Sequence, residues 1–213
     1  MTPWFRTHGP HLAGFLLLTA LAVGGVAYLQ RPGPPSPPQH GPVVAFGDSL
    51  VEGVGASLGH DWPSLLSQRL GIEIVNRGHT GDLTADAYER LDRDVLSLQP
   101  RVVVVLIGGN DIIRLIPRED MFANIGTIVR RITRTGARVV LLGLRCGLVA
   151  DECASGFAEL GEDPQVSLVP AALDGITGRP GLLSDPLHPN DEGYARLADK
   201  VEPVLREVLL ELE

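Results

Sequence analysis

Two periods of apolar and polar positions alternate along the chain, and their order defines its architecture. Short apolar runs recur at Val43–Phe46, Ile72–Val75, Val102–Ile107, Val139–Leu144 and Val166–Val169. Runs of this length, rich in β-branched residues, predict strands. Val102–Ile107 contains no polar residue, as befits a central parallel strand covered on both faces. Between the runs, apolar residues return at helical spacing. They predict helices over Trp62–Leu70, Thr84–Ser97, Arg118–Arg134, Ala154–Leu160 and Asp191–Leu212. In the second of these, Ala85, Tyr88, Leu91 and Val95 form the expected inward face. Strands alternating with helices imply βαβ units and a parallel sheet.

The pattern breaks at the amino end. Residues 12–29 carry no charge, with Arg6 before them and Arg31 after. The run is just long enough for a membrane helix, which needs about 17–25 residues. As a retained signal-anchor it would tether the protein. Ala20-Leu21-Ala22 also resembles a small-residue cleavage site, which would make the segment a removable signal peptide. A buried core helix is the third reading. The first two share a consequence, export of everything that follows. Residues 31–42 contain six prolines, and such a segment is a semi-rigid extended spacer. The expected organisation is therefore a signal or anchor over 1–30, a linker over 31–42 and one folded domain over 43–213.

Composition narrows the function classes. A chain of 213 residues, 44% hydrophobic, can bury a real core. Its net charge of −8 speaks against nucleic acid, whose phosphates call for a basic face. Six histidines are scattered without metal-ligand spacing, so no metal site is expected. Cys146 and Cys153 cannot build a disulfide framework. After export they could pair with each other; otherwise they remain two free thiols.

Four polar constellations fall at strand ends or helix starts. They are Gly47-Asp48-Ser49-Leu50, Asn76-Arg77-Gly78-His79-Thr80-Gly81-Asp82, Gly108-Gly109-Asn110-Asp111, and Asp185-Pro186-Leu187-His188. Each alone reads as a turn or a cap. Together they supply a serine, a candidate base, a carboxylate to orient it and donors for an anion. A serine hydroxyl is a weak nucleophile until a neighbouring base accepts its proton. Two rivals fail on spacing. Ser49 lies in Gly-Asp-Ser-Leu-Val, so the Gly-x-Ser-x-Gly elbow is absent. A dinucleotide fingerprint begun at Gly53-Val54-Gly55 would need its third glycine at Leu58.

Across about residues 43–205 these blocks resemble the SGNH, or GDSL, hydrolases, a family of serine esterases, thioesterases and lysophospholipases. Trp62-Pro63 is similar to the periplasmic thioesterase and arylesterase branch. The resemblance implies a flavodoxin-like three-layer α/β/α fold with five parallel strands in the order 2-1-3-4-5. It makes Ser49 the nucleophile, His188 the general base and Asp185 the carboxylate that orients it. The oxyanion hole would comprise the Ser49 and Gly81 backbone N–H groups and the Asn110 side-chain amide, with Gly78 the alternative glycine. Asp48 and Asp111 would hold loops by accepting hydrogen bonds. Arg77 and His79 could reach the pocket rim or lie in solvent, and Arg145 could meet an anionic substrate group or be a surface charge.

The implied activity is hydrolysis of carboxylic esters or thioesters through an acyl-serine. No metal or organic cofactor is implied. The partners expected are a small-molecule ester and a membrane reached through the amino-terminal helix, with the protein a monomer. An exported O-acyltransferase or deacetylase acting on cell-envelope sugars would use the same residues. A non-catalytic exported binding domain would be expected to lack one of Ser49, Asn110 or His188, and all three are present.

Overall fold

The computed structural model describes residues 41–147 and 151–213. The uncharged run 12–29 and the linker as far as residue 40 lie outside the described residues. Among the described residues, no helix is long and apolar enough to cross a membrane.

Five strands form one parallel sheet in the order β2-β1-β3-β4-β5. They are β1 (Val43–Gly47), β2 (Ile74–Gly78), β3 (Val102–Leu106), β4 (Arg138–Leu142) and β5 (Val166–Val169). Every residue of β1 and β3 is buried, which is why both read as unbroken apolar runs. The register pairs Gly47 with Gly78 on one side of β1 and with Leu106 on the other.

Among the described residues, seven α-helices connect and cover the sheet. They are α1 (Ser49–Glu52), α2 (Trp62–Leu70), α3 (Thr84–Asp94), α4 (Gly109–Ile113), α5 (Arg118–Thr133), α6 (Ala154–Leu160) and α7 (Asp191–Leu210). Helix α2 packs with α7 and α3 with α5, giving the outer layers of a three-layer α/β/α fold. The expected fold class and strand order hold.

Two expectations need correction. Strand β2 starts and ends later than the apolar run 72–75. Ile72 instead donates its N–H to the Ser67 carbonyl and belongs to the end of α2. Asn76 and Arg77 are tolerated in β2 because it is an edge strand, half open to solvent. On α3 the inward face is Thr84, Ala87, Arg90 and Leu91, continued by Val95, whereas Ala85 and Tyr88 face outward. The helix is rotated from the expected face because Arg90, a charged residue, occupies one of its buried positions.

Short α1 and α4, which the apolar pattern does not predict, begin at the carboxyl ends of β1 and β3. Strand order reverses direction at β1, with β2 on one side and β3 on the other. In open α/β sheets such a switch point opens a crevice beyond the strand ends.

Candidate active site

Ser49 is the first residue of α1. Asp48 caps that helix, its Oδ1 accepting the Leu50 N–H at 3.0 Å. Below it, the fully buried Trp62 donates its indole N–H to the Leu50 carbonyl at 2.9 Å. The short helix that carries the serine is thus held from both ends of its first turn. Burial pushes the Asp48 carboxyl up to about 6, the Leu50 N–H opposing that rise and the nearby charge of Asp82 adding to it.

Asp185 and His188 arrive from a loop just before α7. An antiparallel bridge between Leu183 and Pro189 closes that loop, and Ser184 N–H donates to the His188 carbonyl at 2.9 Å. Asn190 then caps α7 by accepting the Gly193 N–H at 3.0 Å. The loop lays the imidazole of His188 between two partners. Its Nε2 lies 3.0 Å from Ser49 Oγ and its Nδ1 2.7 Å from Asp185 Oδ2. Asp185 Oδ1 also accepts the backbone N–H groups of Leu187 and His188, each at 2.8 Å. Hydrogen bonding to the imidazole, and then to these two N–H groups, holds the Asp185 carboxyl down at about 2.

Asn110 stands in the first turn of α4. Its Nδ2 donates to the Asp82 carbonyl at 2.9 Å, which fixes the orientation of the amide. Of the amide's two N–H groups, that bond uses one. Asp111 accepts the Thr84 N–H at 2.9 Å and the Thr84 hydroxyl at 2.6 Å, tying α4 to the start of α3. Asp48 and Asp111 therefore act as the sequence suggests, as acceptors that hold loops. The two candidate glycines separate clearly. Gly78 is the last residue of β2, within the sheet. Gly81 is in the following loop with φ +88°, immediately before Asp82.

A cavity of about 590 Å³ opens over these groups. Ser49, Asn110 and His188 line it, and Ile112, Ile113, Leu144, Leu173, Pro186 and Leu187 supply much of its apolar wall. Arg145 also lines it, paired with Asp174 at 3.4 Å. Arg77 instead turns to the Asp94 carbonyl at 3.2 Å, and His79 is exposed. Beside the cavity, Cys146 and Cys153 form a disulfide with Cα atoms 5.3 Å apart.

The sequence pattern missed Arg90. Its side chain is only 7% exposed, and its guanidinium sits 4.5 Å from the centre of the Phe46 ring. A lone arginine within a helix rich in charge reads as part of a solvated face. The available signal was its position three residues after Ala87, on the buried stripe. The apolar cavity wall was also hidden, because Ile112 comes from the short helix α4 and Leu173 and Leu187 from two separate loops.

A parallel five-stranded α/β/α sheet with Gly-Asp-Ser-Leu after β1 and Asp-x-x-His before the last helix defines a class of acylhydrolase. Residues 45–196 match the model of the GDSL-like lipase/acylhydrolase family, and the chain belongs to that family, the SGNH hydrolases. It is a hydrolase acting on ester bonds. The chain is 27% identical to esterase TesA of Pseudomonas aeruginosa over 178 residues, 78% of this chain and 89% of that protein. It is 28% identical to an arylesterase of Vibrio mimicus over 170 residues, covering 75% and 85%. A crystal structure of TesA superposes with a TM-score of 0.73 at 27% identity, covering 78% of this chain and 98% of that one.

Proposed function

We propose that the protein is a serine esterase that cleaves carboxylic esters or thioesters through an acyl-serine intermediate. The observation that carries this reading is the unbroken relay from Ser49 Oγ through the His188 imidazole to Asp185, at 3.0 and 2.7 Å. In the forward step, His188 Nε2 takes the Ser49 proton as Oγ attacks the acyl carbon. Asp185 holds Nδ1–H and stabilises the imidazolium that results. The imidazolium then returns the proton to the departing alcohol or thiol. Water repeats the sequence on the acyl-enzyme and regenerates Ser49.

The tetrahedral intermediates carry an oxyanion, which needs donors fixed before reaction. The N–H of Ser49 is one, since the first N–H groups of a helix have no intrahelical acceptor. The free N–H of the Asn110 amide is the second and the Gly81 N–H the third. Gly81 is favoured over Gly78 because it adjoins Asp82, whose carbonyl holds the Asn110 amide. The apolar cavity wall suits the acyl portion of the substrate.

Export accompanies this reading. A disulfide persists in oxidising compartments, and Cys146–Cys153 therefore agrees with the exported destination implied by the amino-terminal sequence.

The test is Ser49→Ala with a nitrophenyl ester and a fluorophosphonate probe. Both turnover and covalent labelling are expected to vanish while the circular dichroism is unchanged. Turnover that survives in the folded variant would overturn the acyl-serine route.

A further inference from the structure

A buried guanidinium beneath the site, that of Arg90, has its donors aimed at three different segments. Its Nε donates to Asp82 Oδ2 at 2.6 Å, and one terminal nitrogen to the Gly47 carbonyl at 2.8 Å. The other terminal nitrogen reaches the Arg77 carbonyl and Asp94 Oδ2, both at 3.1 Å. Gly47 ends β1 two residues before Ser49. Arg77 is the penultimate residue of β2, and Asp82 follows Gly81 directly. One rigid fork thus fastens the strand that delivers the serine to the loop that carries Gly81. The Asp82 main chain extends the linkage, because its carbonyl accepts the Asn110 amide at 2.9 Å.

We propose that Arg90 is a positioning residue for the oxyanion hole, acting through Asp82 on the Asn110 amide and the Gly81 backbone. This rests on the acyl-serine reading above, since it assigns a role only if an oxyanion forms there. The chemistry requires an arginine. A planar guanidinium offers five N–H donors in fixed directions and can bridge several acceptors at once. A lysine ammonium is a point charge on a flexible stem. It can satisfy Asp82 or the Gly47 carbonyl but cannot lock both in register. Charge-assisted bonds to a carboxylate are also among the stronger hydrogen bonds, so the Asp82 end of the fork is well fixed. The carbonyl of Asp82 then cannot drift without dragging the guanidinium from Gly47.

Stability alone would also keep an arginine in this place, so the experiment must separate position from stability. A double-mutant cycle in kcat does so, using Arg90→Lys and Asn110→Ala on the same ester below the melting temperature of every variant. Arg90→Lys alone is expected to lower kcat by about 10- to 100-fold with KM little changed, as small misplacements of catalytic groups do. In the Asn110→Ala background the same change is expected to cost clearly less than it does alone, because the donor it positions is already gone. Asp82→Ala, which leaves the other Arg90 acceptors in place, is run through the same cycle in case the lysine variant does not fold. It is expected to show the same non-additive loss.

Losses that multiply fully would overturn the inference, as would a folded Arg90→Lys with wild-type kcat. If Asn110→Ala itself keeps wild-type kcat, the oxyanion assignment falls and takes this inference with it. Ser49→Ala, tested separately, tells that failure apart from failure of the serine route.

Discussion

Asp185 grips His188 twice, by its backbone and by its ring. One carboxylate oxygen accepts the His188 N–H at 2.8 Å, and the other lies 2.7 Å from Nδ1 of the same residue. The main-chain bond fixes where the carboxylate stands, and the ring bond fixes the tautomer that presents Nε2 to Ser49. Because these bonds lower the Asp185 carboxyl to about 2, it stays ionised far below neutral pH. Protonation of this carboxylate is therefore not expected to limit activity as the pH falls from neutral toward about 4. Asp185→Asn keeps the shape and favours the wrong tautomer. It is expected to lower kcat by about 10³–10⁴. A steady-state assay across pH checks both points: an asparagine variant with wild-type kcat would remove Asp185 from the relay.

Asp48, next to Ser49, has the opposite linkage. Burial raises its folded pKa to about 6, above the ordinary value of 3.8. A raised carboxyl binds more protons in the folded state, so its contribution to stability falls as pH rises from about 4 to about 6. At about 1.4 kcal/mol per pH unit, keeping it ionised costs the fold on the order of 3 kcal/mol at neutral pH. Asparagine can still accept the Leu50 N–H without that charge. Asp48→Asn is thus expected to raise the melting temperature at pH 7 and to lose this advantage near pH 4. A melting-temperature difference independent of pH would contradict the buried-charge account.

Strands β1 and β3 were legible in the sequence because both faces of each are buried, which forces an unbroken apolar run. Trp62–Leu70 and Ala154–Leu160 match their predicted limits as well. The Asp185–His188 spacing also announced itself, since three residues within one loop can present both groups. What stayed hidden depends on contacts between distant segments. Arg90 looks like any surface arginine until Gly47, Arg77 and Asp82 converge on it. The start of β2 was misplaced because an edge strand accepts Asn76 and Arg77, while Ile72 is drawn into the end of α2.

Cys146 and Cys153 are seven positions apart, so their disulfide closes a short loop. In the chain-entropy account, closing so small a loop contributes about 2–3 kcal/mol. Replacing both cysteines by serine is expected to lower stability by about that amount in chemical denaturation. Thiol titration of the oxidised, denatured protein should find no free thiol. Two titratable thiols in protein made in an oxidising compartment would contradict the bond.

Gly78 and Gly81 can be separated by placing a methyl group on each. A Cβ on Gly78 would fall 2.0 Å from the Glu52 N and 2.6 Å from its Cα, inside the packing of α1 against β2. Gly78→Ala should therefore displace the serine-bearing helix and destabilise the protein, whatever the chemistry. A Cβ on Gly81 meets only the Arg114 guanidinium, at 3.9 Å, so space is not the obstacle there. Its φ of +88° is, since an L-residue in left-handed conformations costs about 1–2 kcal/mol. Gly81→Ala is expected to stay folded but to relieve that strain by turning the local peptide, moving its N–H away from the oxyanion. The predicted signature is a large loss of kcat at nearly normal melting temperature for Gly81→Ala, against a large loss of melting temperature for Gly78→Ala. A folded Gly81→Ala with wild-type kcat would take the third donor away from Gly81.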